Sequence, residues 1–173
     1  WTTGKIGGAL SFDGVDDRIK IPNPLLDGKN LLTISLWFKM NTSSVNSLSH
    51  YFISGANSEN DNRFRLFINN LNGLGINDSV VKQPITYASS ESQTYWINNW
   101  RKLTFVRNSN GLSFYLNGNH SYLFSYTPSL LSISPNGLWI GPDQDSVGGG
   151  WETEANLQGE LDDYRIYDRA LSA

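Results

Sequence analysis

The sequence predicts an all-β fold: a two-sheet antiparallel β-sandwich of the jelly-roll type. Three observations carry this reading. Apolar and polar residues alternate with period two along many short segments, as half-buried antiparallel strands require. Turn-forming dipeptides separate those segments. No apolar pattern of helical period runs through the 173 residues.

The elements follow in order. Strands are expected at about 8–12, 18–22, 32–40, 50–54, 63–69, 73–77 and 84–88, then 100–107, 111–117, 121–126, 137–141 and 160–167. The 32–40 segment is the clearest. Ile34, Leu36, Phe38 and Met40 share one face, and Thr33, Ser35, Trp37 and Lys39 the other. Phe64, Leu66 and Ile68 alternate with Arg63, Arg65 and Phe67; Leu112, Phe114 and Leu116 alternate with Ser113, Tyr115 and Asn117. Asn108-Ser109-Asn110-Gly111 reads as a tight hairpin, and Asn117-Gly118 as a type I′ turn, with Asn72-Gly73 a further turn. Short helical turns fit only at Leu25–Leu32 and Asp168–Ala173. Asp143–Glu154, with Gly148-Gly149-Gly150-Trp151 inside it, reads as an irregular, mobile surface loop.

Composition bounds the function. The length suits one domain spanning 1–173 with a real core, expected to be excised from a larger multidomain protein. Charged residues are sparse at 17% and aromatics rich at 13%, the profile of a sheet protein and not of a disordered tail. A net charge of −3 with no Lys/Arg run argues against a nucleic-acid partner. No apolar stretch approaches the roughly 20 residues of a membrane helix, so no membrane insertion is expected. The absence of Cys excludes a disulfide scaffold, a thiolate metal site and a Cys nucleophile.

The two ends match. Gly8 to Asp13 and Leu157 to Tyr167 are each an alternating strand beside a cluster of Asp. Pairing of first and last strands would bring the clusters together, and like charges repel unless a cation sits between them. Calcium, which takes six to eight oxygen ligands, is the natural candidate. Asp13, Asp16, Asp17 and Asp162 with the Gly14 carbonyl are the expected ligands, since Asp162 shares an alternation face with Tyr164 and Ile166 and so points inward. The alternative is that Asp13-Gly14 is a turn and Asp162 pairs with Arg18 or Arg169. The Asp spacing is not that of an EF-hand.

Six segments in order resemble the laminin-G-like, concanavalin A-like jelly-roll superfamily, in particular bacterial LamG-type domains. They are Gly8–Gly14 with Asp17, Leu32–Phe38, Trp100–Val106, Leu112–Gly118, Leu138–Gly141 and Gly159–Ser172. The resemblance implies two stacked antiparallel sheets, often a structural calcium, and often glycan or protein binding. It does not fix the ligand, because the fold hosts many functions. Related jelly-roll glucanases carry Glu-x-Asp-x-Glu on one strand. Glu160-Leu161-Asp162 begins that pattern, but Tyr164 stands at the fifth position, so no catalytic residue and no enzyme activity is expected. His50 and His120 have no carboxylate at metal-site spacing, and no Gly-x-Ser-x-Gly elbow exists.

Aromatic side chains in loops are the candidates for stacking on sugar rings. Trp151, among glycines, and Trp96 with Tyr95 come first, followed by Tyr51 and by Asn57 of the polar stretch Asn57–Arg63. Trp37, Trp100 and Trp139 read mainly as packing. The expectation is a non-catalytic, monomeric carbohydrate-binding module of a secreted or cell-surface bacterial protein, stabilised by calcium, with a polysaccharide or glycan as partner. The alternative is a protein-interaction, adhesion or spacer module without glycan binding.

Overall fold

Strands dominate because the chain alternates. In β4 (Leu32–Met40) the apolar set Leu32, Ile34, Leu36, Phe38 and Met40 is fully buried, while Ser35, Trp37 and Lys39 remain half-buried. The computed structural model describes residues 1–22, 25–41, 49–58, 62–69, 73–78, 85–88, 93–152 and 154–172. The expected polar stretch at Glu59–Asp61 and the turn residue Asn72 lie outside them.

Two antiparallel sheets stack face to face. One takes seven strands in the order β1 (Thr2–Thr3), β2 (Gly8–Asp13), β15 (Gln158–Tyr167), β4, β9 (Arg101–Asn108), β10 (Gly111–Leu116) and β11 (Asn119–Ser125). The other takes six: β3 (Ile19–Lys20), β12 (Leu138–Gly141), β5 (Ser49–Ala56), β6 (Asn62–Asn69), β7 (Gly73–Asp78) and β8 (Ile85–Ala88). The first long strand does pair with the last, with Asp13 opposite Gln158 and Leu10 opposite Leu161. Asn117 and Gly118 both take positive φ, 51° and 83°, and close the β10–β11 hairpin as a type I′ turn demands.

The core lies between the sheets. Phe38, Phe52, Phe64, Phe105 and Phe114 are fully buried there, and burying each such ring contributes about 1.5–3 kcal/mol. One buried ion pair joins the layers. Arg107 of β9 forks onto Asp78 of β7, its Nη2 donating to Oδ1 at 3.0 Å. The remaining donors of Arg107 reach the carbonyls of Asn30 and Ser129 at 2.8 Å each. Burial alone would lower Arg107, but its bonds to Asp78 hold the guanidinium above its ordinary pKa.

Three expectations are corrected here. Asp143–Glu154 is not simply a loop: β13 (Gln144–Ser146) and β14 (Gly149–Trp151) form a hairpin against the six-stranded sheet. A short helix, α1 (Gln93–Trp96), precedes β9 and carries Trp96 into the core, where it is fully buried and stacks on Phe38 at 6.1 Å. Trp96 is therefore packing and not a stacking platform for a ligand. Trp37, Trp100 and Trp139, read as packing, are instead half-buried, with Lys5 and Lys102 over Trp37 and Lys39 over Trp100.

Asp162 also departs from its expected place. The β15–β4 register runs Asp162 to Trp37 and then Arg165 to Ser35, so one extra residue is inserted between. Asp163 absorbs it with a φ of 47°. The bulge shifts the alternation by one, which puts Asp162 on the face of Trp37 rather than with Tyr164 and Ile166. Its burial comes from the N-terminal turn: the Ile6 amide donates to Asp162 Oδ2 at 2.7 Å. A Cβ at Gly4 would lie 2.6 Å from that oxygen, so the turn closes over the carboxylate only with glycine there.

Candidate functional site

The β13–β14 hairpin builds the most chemically loaded place in the molecule. Gln144 anchors it. That side chain is fully buried and its Nε2 donates to Ser54 O, Ser54 Oγ and Gly137 O at 3.0, 3.1 and 2.9 Å. Gly148 N in turn donates to Gln144 Oε1 at 3.1 Å, which fixes the hairpin tip. Asp143 and Asp145 flank this anchor, and Trp151, opposite Gln144 in the register, is followed by Glu152. Carboxylate oxygens of Asp143, Asp145 and Glu152 lie within 4.8 Å of one another.

The electrostatics of the cluster are unusual. Asp143 is buried and pairs through Oδ2 with Arg65 Nη1 at 2.8 Å, while Oδ1 accepts from the Gln144 amide at 3.0 Å. Burial pushes its carboxyl up to about 6; Arg65 opposes the rise, and Glu152 and Asp145 add to it. Tyr51 lies beside them, packed on Phe67 with ring centroids 5.2 Å apart, and the Arg65 guanidinium sits 5.7 Å from its ring centroid. Burial first, and then Asp143, raise the Tyr51 phenol above its ordinary pKa.

A second acidic cluster adjoins the first. The carboxylates of Asp13, Asp16 and Asp17 meet within 4.8 Å, all exposed. Asp13 Oδ1 accepts from the amides of Val15 and Asp16 at 2.7 and 3.4 Å, and Asp17 Oδ2 accepts from the Asp13 amide at 3.0 Å. Gly14 supplies the left-handed residue of that turn. The buried Asn156 donates to the Val15 carbonyl at 2.6 Å, and His50 Nδ1 lies 3.0 Å from the Asn156 carbonyl. These contacts tie the Asp13–Asp17 turn to the segment that follows the hairpin.

The expected residues thus divide. Asp13, Gly14, Asp16 and Asp17 do come together; Asp162 does not join them. It lies about four residues along the β2–β15 pair from Asp13, roughly 13 Å at strand rise, under the N-terminal turn. Neither Arg18 nor Arg169 is its partner: Arg18 lies over the Trp151 ring at 4.7 Å, and Arg169 over Tyr167 at 5.7 Å. Trp151 is half-buried and meets Trp139 edge-on, with centroids 5.1 Å apart. Tyr51 and Asn57 are buried, so neither is an open loop residue, although Tyr51 reaches the Asp143 cluster. Tyr95 is committed elsewhere: Arg101 covers its ring at 3.7 Å and takes its carbonyl, and Asn117 reaches its hydroxyl.

Asp143, Asp145, Glu152 and Arg65 were missed as site residues. The Asp-x-Asp spacing ahead of a glycine turn and a Trp was the available signal. The carboxylates of the partial glucanase pattern are each engaged, Glu160 by Lys39 at 2.6 Å and Asp162 by the Ile6 amide. Among the described residues no helix is long and apolar enough to cross a membrane.

Two stacked antiparallel sheets of seven and six strands define a jelly-roll β-sandwich. A family model of the concanavalin A-like lectin/glucanases superfamily, of the laminin G type, matches residues 13–173, and the chain belongs to that superfamily. No curated protein matches the chain at a significant level. Among solved structures it is similar to a heptameric SAP-like pentraxin from Limulus polyphemus: 24% identity, 94% of this chain and 76% of that one, TM-score 0.67. Domain 4 of AbnA, an extracellular arabinanase of Geobacillus stearothermophilus solved with arabinotriose, matches at 22% identity over 99% of this chain and 75% of that one, TM-score 0.64. The CBM40 of a Ruminococcus gnavus IT-sialidase matches at 13% identity over 95% and 91%, TM-score 0.70. At these identities the likeness is one of fold.

Proposed function

We propose that residues 1–173 act as one non-catalytic carbohydrate-binding module of an extracellular protein, and that calcium shapes its binding end. The observation that carries this reading is the convergence of Asp143, Asp145 and Glu152 beside the half-buried pair Trp139 and Trp151. The donor set suits the ion. Three carboxylates supply hard oxygen ligands, and calcium has room for more, which sugar hydroxyls or water complete. The cation would also relieve the mutual repulsion that helps raise Asp143. Half-buried Trp151 offers to the C–H face of a sugar ring the surface that Arg18, 4.7 Å over its ring centroid, leaves uncovered, and Arg18 offers hydrogen-bond donors. The Asp13–Asp17 turn meets the same geometric criterion and is the second candidate for calcium.

The test is a glycan and polysaccharide panel with calcium present and then chelated, read alongside the melting temperature. Calcium is expected to raise the melting temperature and to support selective glycan binding. Asp143→Ala abolishes both effects, whereas Asp162→Ala leaves the calcium response in place. If only Asp13→Ala removes the response, the ion belongs at the exposed turn. No glycan bound in either condition rejects the carbohydrate reading in favour of a protein-binding or spacer module.

A further inference from the structure

We infer a second, calcium-independent carbohydrate site on the outer face of the seven-stranded sheet, opposite the six-stranded sheet that carries the β13–β14 hairpin, taking a single neutral pyranose. The register sets up a trough there. Arg165, Ser35, Thr104 and Tyr115 form one row across β15, β4, β9 and β10. Two short hydroxyl side chains between two long ones leave a depression, because neighbouring strands are about 4.8 Å apart and nothing longer fills the middle of the row.

The C-terminal tail walls the depression. Thr33, fully buried, holds that tail with both capacities of its hydroxyl: Oγ1 donates to the Arg169 carbonyl and accepts from the Leu171 amide, each at 2.9 Å. Leu171 and Ser172 thereby lie alongside the trough, with Tyr167 at the start of the same wall. The resulting cavity is about 290 Å³. That is at the small end of ligand pockets, suited to one ring and not to an extended chain. Tyr115 is braced by His120, which meets it edge-on at 5.1 Å.

The lining chemistry selects the ligand. Arg165 bounds the row at its β15 end, but its guanidinium is engaged by Asp163 Oδ1 at 2.7 Å and by Tyr167, and none of the side chains lining the cavity itself is charged, so no formal charge on a ligand would be compensated. Tyr115 gives apolar ring surface with a hydroxyl at its end, and Tyr167 adds ring surface, its hydroxyl bonded by Arg165 and one side of its ring facing Arg169 at 5.7 Å. Ser35 Oγ and Thr104 Oγ1 are 3.4 Å apart, at the limit of a hydrogen bond, so each keeps capacity for a partner. A ligand with apolar C–H faces and several hydroxyls, each both donor and acceptor, matches these groups; a neutral pyranose is that ligand. Neither acidic cluster takes part, which separates this site from the one proposed above.

The test titrates the full chain, with chelator present, with methyl glucopyranoside, methyl galactopyranoside, methyl mannopyranoside and N-acetylglucosamine, following amide shifts by NMR. At least one of them is expected to move the amides of Ser35, Thr104 and Tyr115, and to the same extent when calcium replaces the chelator. Thr104→Trp fills the trough and should weaken binding at least tenfold. Should that variant fail to fold, Ser35→Ala combined with Thr104→Val removes both floor hydroxyls and should weaken binding by a similar factor. Failure of all four sugars to move these amides, or affinity that survives the substitutions, overturns the site. Glycan binding that vanishes wholly on chelation overturns it too, while leaving the calcium-dependent reading intact.

Discussion

Replacing Arg107 by Met should destabilise the protein more than almost any other single change, and the structure gives the size. Both side chains of the Arg107–Asp78 pair are fully buried. Removing the guanidinium takes two charged donors from the buried Asp78 carboxylate and donors from the carbonyls of Asn30 and Ser129. Breaking a buried pair from one side costs about 3–5 kcal/mol, a large share of a total stability of about 5–15 kcal/mol. With a urea slope of about 2 kcal/mol per molar, a loss of about 4 kcal/mol moves the unfolding midpoint down by about 2 M. Adding Asp78→Leu removes the buried carboxylate that has lost its Arg107 donors and should recover at least about 1 kcal/mol, because breaking a buried pair from one side costs more than replacing both partners. Tyr126 donates its hydroxyl to Asp78 at 2.6 Å, so Tyr126→Phe alone should cost about 1 kcal/mol. Equilibrium urea unfolding followed by tryptophan fluorescence checks all three. A loss below about 1 kcal/mol for Arg107→Met, or a double variant no more stable than Arg107→Met, refutes the reasoning.

Two further outcomes follow from the site and the core. Because the folded carboxyl of Asp143 titrates near 6, above its ordinary 3.8, its contribution to stability is full at low pH and is lost as pH rises through about 6. Chelated protein should therefore lose up to roughly 3 kcal/mol between about pH 4 and pH 7, an effect absent in Asp143→Asn; calcium, which needs the ionised carboxylate, should stabilise increasingly over the same range, and melting curves at each pH decide it. Trp96→Ala should cost about 3–5 kcal/mol and leave glycan specificity unchanged, whereas Trp151→Ala should do the reverse; panel binding with parallel urea unfolding tells them apart.

What the sequence made legible was local, and what it hid was not. Alternation in Leu32–Met40 is visible because both its faces recur every second residue, and the Asn117-Gly118 turn is visible because only residues tolerant of positive φ can make it. The pairing of the first long strand with the last was expected because both ends are alternating strands and folds that order both termini often pair them. Asp162 escaped for a physical reason: one inserted residue at Asp163 moves every side chain before it to the other face, and alternation alone carries no mark of an insertion. Trp96 was placed by its distance from a strand along the chain, which says nothing about direction; four helical residues turn it onto Phe38. The Asp143–Glu154 segment read as mobile because it is rich in glycine. Its order comes from Gln144 bonding Ser54, ninety positions away, and no local pattern reports a contact of that range.

The cost built into Asp143 bears on why the cluster exists. A carboxylate buried purely for structure is best served by one well-placed cation and no other acid, and Arg65 supplies that cation at 2.8 Å. The chain instead brings Asp145 and Glu152 to the same point, where both work against the ionised form of Asp143. It also spends a fully buried Gln144, bonded to three acceptors, on holding the strand between the two aspartates in place. For the fold alone this arrangement is unfavourable, since like charges gathered around a desolvated group lower stability. For a fold that holds a divalent ion it is favourable, because the same three carboxylates become ligands and the rigid anchor keeps their spacing. One raised carboxyl with two further acids gathered around it, on a braced hairpin beside a half-buried Trp pair, is what the proposed ion site requires and what folding alone does not.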